Sequence, residues 1–248
     1  MNFIYDYPLR FIACALFGSV AFSYFFDGDH KGIFIALTLF IVTASGYVYE
    51  KLRAQKLVKI AKKLGFDYSK KVKDYTKLKH ENFELFCAGG SKTFKNEMWK
   101  FKDGIYTSIF DFGYTQTFGK DKRTCNQSVL SVDSRHFNFP RFQLRPKTFI
   151  NKIIEAFGAQ DINFESFPIF SKNYTLTGNN ETEIRELFSP EVIKFFESHI
   201  STFVEAEGSV LIYYKHGIRC KPEDFGSFYE SAELALSILI KIDNLKTK

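Results

Sequence analysis

Residues 99–114 read WKFKDGIYTSIFDFGY, and this stretch decides the fold of the larger part of the chain. Trp99 and Phe101 alternate with lysines, Asp103-Gly104 follows, and Phe110, Phe112 and Tyr114 recur at every second position. An Asp-Gly pair accepts the positive φ angles of a two-residue hairpin turn, and apolar residues at period 2 mark a strand with a buried face. Residues 123–133 return as a further strand after a turn at 119–122. There Ser128, Leu130 and Val132 share one face, and Val129 and Ser131 share the other. The expectation is a three-stranded antiparallel meander. Alternation predicts that Asp111 points to solvent, opposite Phe110 and Phe112. A buried Asp111 would instead have a raised pKa, as general acids do.

Reading outward, residues 83–87 are expected to form a short strand ending at Gly89-Gly90. Phe139–Pro146 is bounded by prolines, which suits an edge strand or a strap, because proline cannot donate to a central ladder. Arg141, Arg145 and Lys147 interleave with Phe139 and Phe142, a pattern that an ordinary amphipathic strand explains. After Pro146 a helix is expected, with Phe149, Ile150, Ile153, Ile154 and Phe157 on one stripe and Gly158 as its stop. Residues 174–178 read as a strand. Asn180 with Glu183 forms a capping box opening a helix over 181–188, and Ser189-Pro190 opens the next with proline at its first position. Strands at 202–205 and 209–214 join at Gly208. A last helix follows Pro222, with Phe225, Phe228, Tyr229, Ala232, Leu236 and Leu239 on one face. Strands and helices do not alternate as βαβ, so the expected class is α+β, mainly antiparallel, over 67–248. Two subdomains would divide near 158–167.

The N-terminal 50 residues follow different rules. Residues 11–26 (FIACALFGSVAFSYFF) and 33–49 (IFIALTLFIVTASGYVY) carry no charge. Each lies near the lower end of the length that crosses a bilayer. Tyr5, Tyr7, Tyr24, Tyr47 and Tyr49 flank them at headgroup level. Ala15, Ser19 and Ser23 recur every four residues, a stripe that lets a second helix approach closely. With the polar turn at 27–31, the expectation is a transmembrane hairpin over 1–50, its helices at about 9–26 and 32–49. A cleaved leader is disfavoured, because only Arg10 precedes the first run and a second apolar run follows at once. Core helices of a soluble protein would carry a polar face, which these lack. The chain's mean hydropathy of −0.16 excludes a protein mostly embedded in lipid.

Charge is local. Residues 1–50 hold two basic and four acidic side chains, 51–71 hold eight and one, and 72–248 hold 24 and 23. A nucleic-acid-binding domain would carry basic residues through its folded part, so that class is excluded. Lysine and arginine stay on the cytoplasmic side of a membrane helix. That gives a two-span inner-membrane protein with both termini cytoplasmic. Residues 51–66 form a basic juxtamembrane helix. Leu57, Ile60, Ala61 and Leu64 make its apolar stripe, Lys51, Lys56, Lys59, Lys62 and Lys63 the opposite face, and Gly65 its end. Those five lysines are the candidate lipid-surface residues. They are explained either as a solvated face obeying the charge rule or as an arm against anionic headgroups.

No phosphate-binding glycine loop, nucleophile elbow or metal-ligand spacing is present. Cys87, Cys125 and Cys220 are isolated and suit a reducing compartment. A metal site would need them to converge with His136, and neither metal nor cofactor is expected. No catalytic residue is expected either.

The segments Phe110-Asp-Phe-Gly-Tyr114, Gln127-Ser-Val-Leu130, Phe139–Pro146, Asp161-Ile-Asn-Phe164 and Phe167-Pro-Ile-Phe170-Ser171, leading to Tyr174 and Gly178, carry a resemblance. This run is similar to an uncharacterised family of bacterial membrane-anchored proteins in which a membrane hairpin precedes a cytosolic domain. The resemblance implies that architecture and no activity. The functional expectation is a membrane-anchored cytosolic domain that binds another protein without catalysis, with the bilayer and its anionic headgroups as further partners. The alternatives are an enzyme whose site assembles only in the fold, or a membrane-surface or envelope sensor.

Overall fold

The structure is a computed structural model that describes residues 30–72, 83–118, 121–148 and 161–246. The chain divides into two compact units, 1–59 and 60–248.

In the first unit the described element is helix α1, His30–Lys63, a single helix of 34 residues. It continues through residue 50 without a break, joining the expected second membrane helix and the basic helix. At its far end Gly65 takes φ 72°. The Phe66 N–H donates to the Ala61 carbonyl at 2.8 Å and the Gly65 N–H to Lys62 at 3.3 Å. That is the Schellman arrangement for which a glycine is best suited. The portion Ile35–Lys63 is long and apolar enough to cross a membrane. The expected first span, 9–26, lies outside the described residues.

The second unit is built on an eight-stranded sheet. Its strands are β1 (Asp67–Lys71), β2 (Gly90–Lys102), β3 (Ile105–Phe118), β4 (Asp121–Asp133), β5 (Phe139–Pro146), β6 (Tyr174–Gly178), β7 (Phe203–Gly208) and β8 (Val210–Tyr214). Their order is β1-β2-β3-β4-β8-β7-β5-β6, and each neighbouring pair is antiparallel. The class is α+β with an antiparallel sheet, as the residue pattern implies. The meander is the heart of it. Asp103 and Gly104 take φ 51° and 76° at the β2–β3 turn, and β3 pairs β4 without a slip from Tyr106↔Asp133 to Phe118↔Asp121.

One face of the sheet gathers Phe110, Phe112, Tyr114, Val129, Phe203, Val210, Ile212 and Tyr214, covered by Phe83, Leu85 and Phe86. The other face packs under helices α4 (Glu181–Leu187), α5 (Pro190–Ser198) and α6 (Phe225–Lys246). There Phe142 meets Phe188 edge-on at 5.3 Å and Tyr213 meets Phe228 at 5.9 Å. Both expected caps form. Asn180 Oδ1 accepts the Glu183 N–H at 3.3 Å, and Ser189 Oγ accepts the Val192 N–H at 3.5 Å. Gly178 is needed where α4 approaches, since a side chain there would collide with Ile184 and the Arg141 carbonyl.

Three expectations are corrected. Residues 83–87 are not a strand but a single helical turn, α2 (Glu84–Cys87). Leu85 and Phe86 are adjacent and both buried in the same core cluster, which the opposite faces of a strand cannot provide, and the Phe83 carbonyl accepts the N–H groups of Phe86 and Cys87. Strand β5 is not an edge but lies between β6 and β7. Its prolines are accommodated because Pro140 falls where the register with β7 shifts, between Phe139 and Phe142, and Pro146 is the terminal residue. The outer strand is β6, preceded by the short helix α3 (Pro168–Asn173). Asp111 does not face water; it is 3% exposed. The helix expected over 147–158 lies mostly outside the described residues.

Candidate functional site

The lysines come first. Lys51, Lys56, Lys59, Lys62 and Lys63 are all exposed. At 100° per residue they occupy an arc of about 140°, so they form a single face of α1. On the same helix Ile35, Ile41 and Val42 stand 60%, 62% and 61% exposed. Apolar side chains this bare on a helix this long lack the burial that normally stabilises them.

Within the sheet domain the fold assembles three polar clusters, of which those around Asp111 and Glu205 are buried. The first surrounds Asp111 on β3. Its Oδ1 accepts the Ser128 hydroxyl at 2.8 Å, and its Oδ2 accepts Asn96 Nδ2 at 3.0 Å and Arg219 Nε at 3.0 Å. Ser128 Oγ in turn accepts the Cys220 N–H at 3.0 Å, and the Ser128 N–H donates to the Ile218 carbonyl at 3.1 Å. The carboxylate thus pins the segment 218–220 against β4 where β8 has ended. Asn96 sits at φ 56° in an irregular stretch of β2, and this bulged conformation delivers its amide to the cluster. The cluster is a structural clasp. Its members bond to one another, and Asn96 Oδ1 also accepts the Tyr68 hydroxyl at 2.8 Å.

The second cluster joins Cys125 on β4 to His216. Sγ and Nε2 lie 3.8 Å apart, and Gln127 Oε1 lies 3.7 Å from Sγ while accepting the Gly217 N–H at 3.0 Å. A thiol and an imidazole side by side invite a nucleophilic reading. The electrostatics oppose it. Burial pushes the Cys125 thiol up, against hydrogen bonds with Tyr114 and the Gly217 backbone that pull it down. Burial pushes His216 down. Both groups are held neutral, whereas an activated cysteine is a thiolate beside a cation. Cys220 is buried and Cys87 exposed. Among the described residues no group of three or more His, Cys, Asp or Glu side chains is placed to hold a metal.

The third cluster is centred on Glu205 of β7, 2% exposed. Its carboxylate accepts the Tyr214 hydroxyl at 2.7 Å and the backbone N–H groups of Glu84 at 2.6 Å and Leu85 at 3.2 Å. Gln143 on β5 is its register partner. The basic strip is dispersed. Arg141 is exposed with Nε 3.9 Å from Glu207, Arg145 is half-buried, and Lys147 pairs with Asp161 at 2.9 Å. Burial lowers the Arg145 pKa, opposed by Glu84, Asp161 and Tyr214.

A depression of about 400 Å³ is lined by Asn163, Phe164, Glu165, Ser166, Phe167 and Arg185. Arg185 is already engaged there, donating to the Asn163 carbonyl at 2.9 Å, pairing with Glu181 at 2.6 Å and lying 5.1 Å above the Phe164 ring. It is not free to receive a ligand.

A signal for Glu205 and Asp111 exists in the sequence. Phe203-Val204 and Ile109-Phe110 are consecutive apolar residues, so both faces of those strands are covered. A carboxylate in such a strand is buried on whichever face it lies.

Neither the family models nor the curated proteins contain a match to the chain. Among solved structures it is similar to the mycobacterial trehalose monomycolate transport factor A, TtfA. The TM-score is 0.54 at 13% identity, over 76% of this chain and 94% of that one. At this identity the likeness concerns the fold.

Proposed function

We propose that the protein is a membrane-anchored accessory factor whose cytosolic α+β domain binds another protein and performs no chemistry itself. It has two spans, at about 9–26 and 32–49, in a bacterial inner membrane, and both termini are cytoplasmic. The observation that carries this reading is helix α1, which passes without interruption from bare apolar side chains at Ile35–Val48 to exposed lysines at Lys51–Lys63. A span followed by a positive flank is the pattern of a helix that ends on the cytoplasmic side. The fold shared with TtfA, named a trehalose monomycolate transport factor, supports a role as a transport factor. The uncharacterised membrane-anchored family remains part of the proposal as its architectural precedent.

Topology is the direct test. In a background with the native cysteines replaced, a cysteine at position 29 should react with an impermeant thiol reagent in intact cells, and one at position 248 should react only after lysis. Labelling at 248 without lysis overturns the two-span arrangement.

The lysine face is proposed to contact anionic headgroups. At 1.5 Å rise per residue, and taking Tyr49 as the membrane boundary, Lys51 stands about 3 Å and Lys56 about 10 Å along the axis, with Lys59, Lys62 and Lys63 about 15–21 Å away. The Debye length at physiological salt is about 8 Å. In the anchored chain Lys51 and Lys56 therefore dominate, at about 1 kcal/mol each. A fragment beginning at Lys51 has no such restraint and can lay all five against a surface. It is expected to bind anionic vesicles at low salt, ignore neutral ones and release near ~0.5 M salt, as screening shortens to a few ångströms. Equal binding to neutral and anionic vesicles would remove the lipid contact from the proposal.

A further inference from the structure

Strand β8 pairs with β4 only from Val129 to Asp133, so the first part of β4 runs past its end. The chain leaving β8 continues alongside. There the Gly217 N–H donates to Gln127 Oε1 at 3.0 Å and the Ser128 N–H to the Ile218 carbonyl at 3.1 Å. This brings His216 beside Cys125, which shares a face of β4 with Gln127. Cys125 Sγ lies 3.8 Å from His216 Nε2 and 3.7 Å from Gln127 Oε1. With the imidazole proton on Nδ1, one thiol proton faces two acceptors, so the group holds more lone pairs than hydrogens to fill them. The Gly217 N–H fixes the Gln127 amide with its oxygen towards the sulfur, and Nε2 is left buried without a hydrogen-bond partner among the described residues. We propose that Cys125, His216 and Gln127 bind one soft monovalent metal ion of the copper(I) class.

The spacing suits a metal. At the lengths zinc makes, about 2.3 Å to sulfur and about 2.1 Å to imidazole, donors roughly 120° apart stand about 3.8 Å from each other. An amide oxygen has two lone pairs, so Gln127 can serve an ion and keep its bond from Gly217. The donor set includes this amide, which a search for His, Cys, Asp and Glu alone passes over.

Charge selects the ion. The thiolate is the one anionic group that the three donors supply. A monovalent ion leaves this half-buried site neutral, whereas a divalent ion would strand a positive charge in it. The softness of the thiolate points the same way. Binding breaks the S–H bond and releases that proton to solvent, while the sulfur lone pair goes to the metal. Burial favours the thiol over the thiolate, against hydrogen bonds from the Tyr114 hydroxyl and the Gly217 N–H that favour the charged sulfur. The same two bonds steady a metal-bound thiolate. Cys125 and His216 are both partly exposed, which gives the ion its way in, and the Phe203 ring lies against the imidazole, 5.7 Å between centroids.

The test is anaerobic competition for copper(I) between the full chain in detergent and a chromophoric copper(I) chelator. The wild type is expected to hold one ion at this site, with zinc at least ~10-fold weaker. Cys125→Ser should abolish that binding. His216→Gln should weaken it by more than the roughly 10–100-fold that loss of an outer partner costs. Tyr114→Phe keeps the ring in the core and removes only the hydroxyl on the sulfur, so affinity should fall about tenfold. Cys87→Ser, an exposed thiol outside the site, should change nothing. X-ray absorption of the copper-loaded wild type should show one sulfur together with nitrogen and oxygen neighbours. Failure of the wild type to compete with the chelator overturns the proposal. So does binding unchanged in Cys125→Ser, binding lost in Cys87→Ser, a shell of sulfur alone, or zinc held more tightly than copper(I). If Cys125→Ser fails to fold, the wild-type absorption spectrum and the zinc comparison decide.

Discussion

Replacing Asp111 by alanine is expected to destabilise the sheet domain by about 3–5 kcal/mol. The side chain of Asp111 is 4% exposed and that of Arg219 19%, so removing the carboxylate leaves a largely desolvated guanidinium without it. The change also takes away the acceptor for the Ser128 hydroxyl and the Asn96 amide. Each buried donor left unsatisfied costs roughly 1–3 kcal/mol. The effects are not additive, because the groups share one cluster. Urea unfolding of residues 51–248 gives the measurement. The double variant Asp111→Ala/Arg219→Ala should lose less than the two single changes combined, since it no longer strands a charge. A loss below about 1 kcal/mol in Asp111→Ala, within the range of a surface ion pair, would show that the cluster does not clasp the segment 218–220.

The second large effect belongs to Phe112, which is also expected to cost about 3–5 kcal/mol when truncated to alanine. Its ring meets Phe94 at 4.8 Å, Phe86 at 5.1 Å and Tyr114 at 5.7 Å. The loss combines transferred apolar surface, a cavity between a rigid sheet and a one-turn cover, and the edge-on contact with Phe86. Leu or Met at this position should recover part of it, because volume matters more than shape. A change under about 0.5 kcal/mol, the size of an ordinary surface substitution, would mean that Phe112 faces water and that β3 is out of register by one residue.

Much of this architecture was readable from local chemistry. The Asp103-Gly104 turn and the aromatic period of β3 located the meander, and Asn180, Ser189 and Pro190 located two helix starts. The errors share a cause: period-2 reasoning assumes one wet face, and this sheet is covered on both at its centre. That assumption sent Asp111 outward and left Glu205 unremarked. Residues 83–87 failed as a strand because Leu85 and Phe86 both turn into the same aromatic core, which successive residues of a strand cannot do. Proline in β5 suggested an edge because nothing local announces the register shift that accommodates Pro140. The buried clusters were illegible because their members come from positions as distant as Asn96 and Arg219, and only the topology β4-β8-β7-β5 brings β7 beside both β8 and β5.

The two outer strands of the sheet have a consequence for behaviour in a crowded cell. An open sheet ends in rows of unpaired backbone groups that recruit other strands. At one end β1 is only five residues long and closes with exposed Lys70 and Lys71. An incoming copy would meet its own like charges there. At the other end the Ile162 N–H already donates to the Leu176 carbonyl at 2.7 Å, and Asp161 Oδ1 accepts the Leu176 N–H at 3.1 Å. The chain has thus occupied at Leu176 the donor and acceptor that edge-to-edge aggregation would require. An aromatic-rich sheet of eight strands is in this way guarded against polymerising, by charge at one border and by self-occupancy at the other.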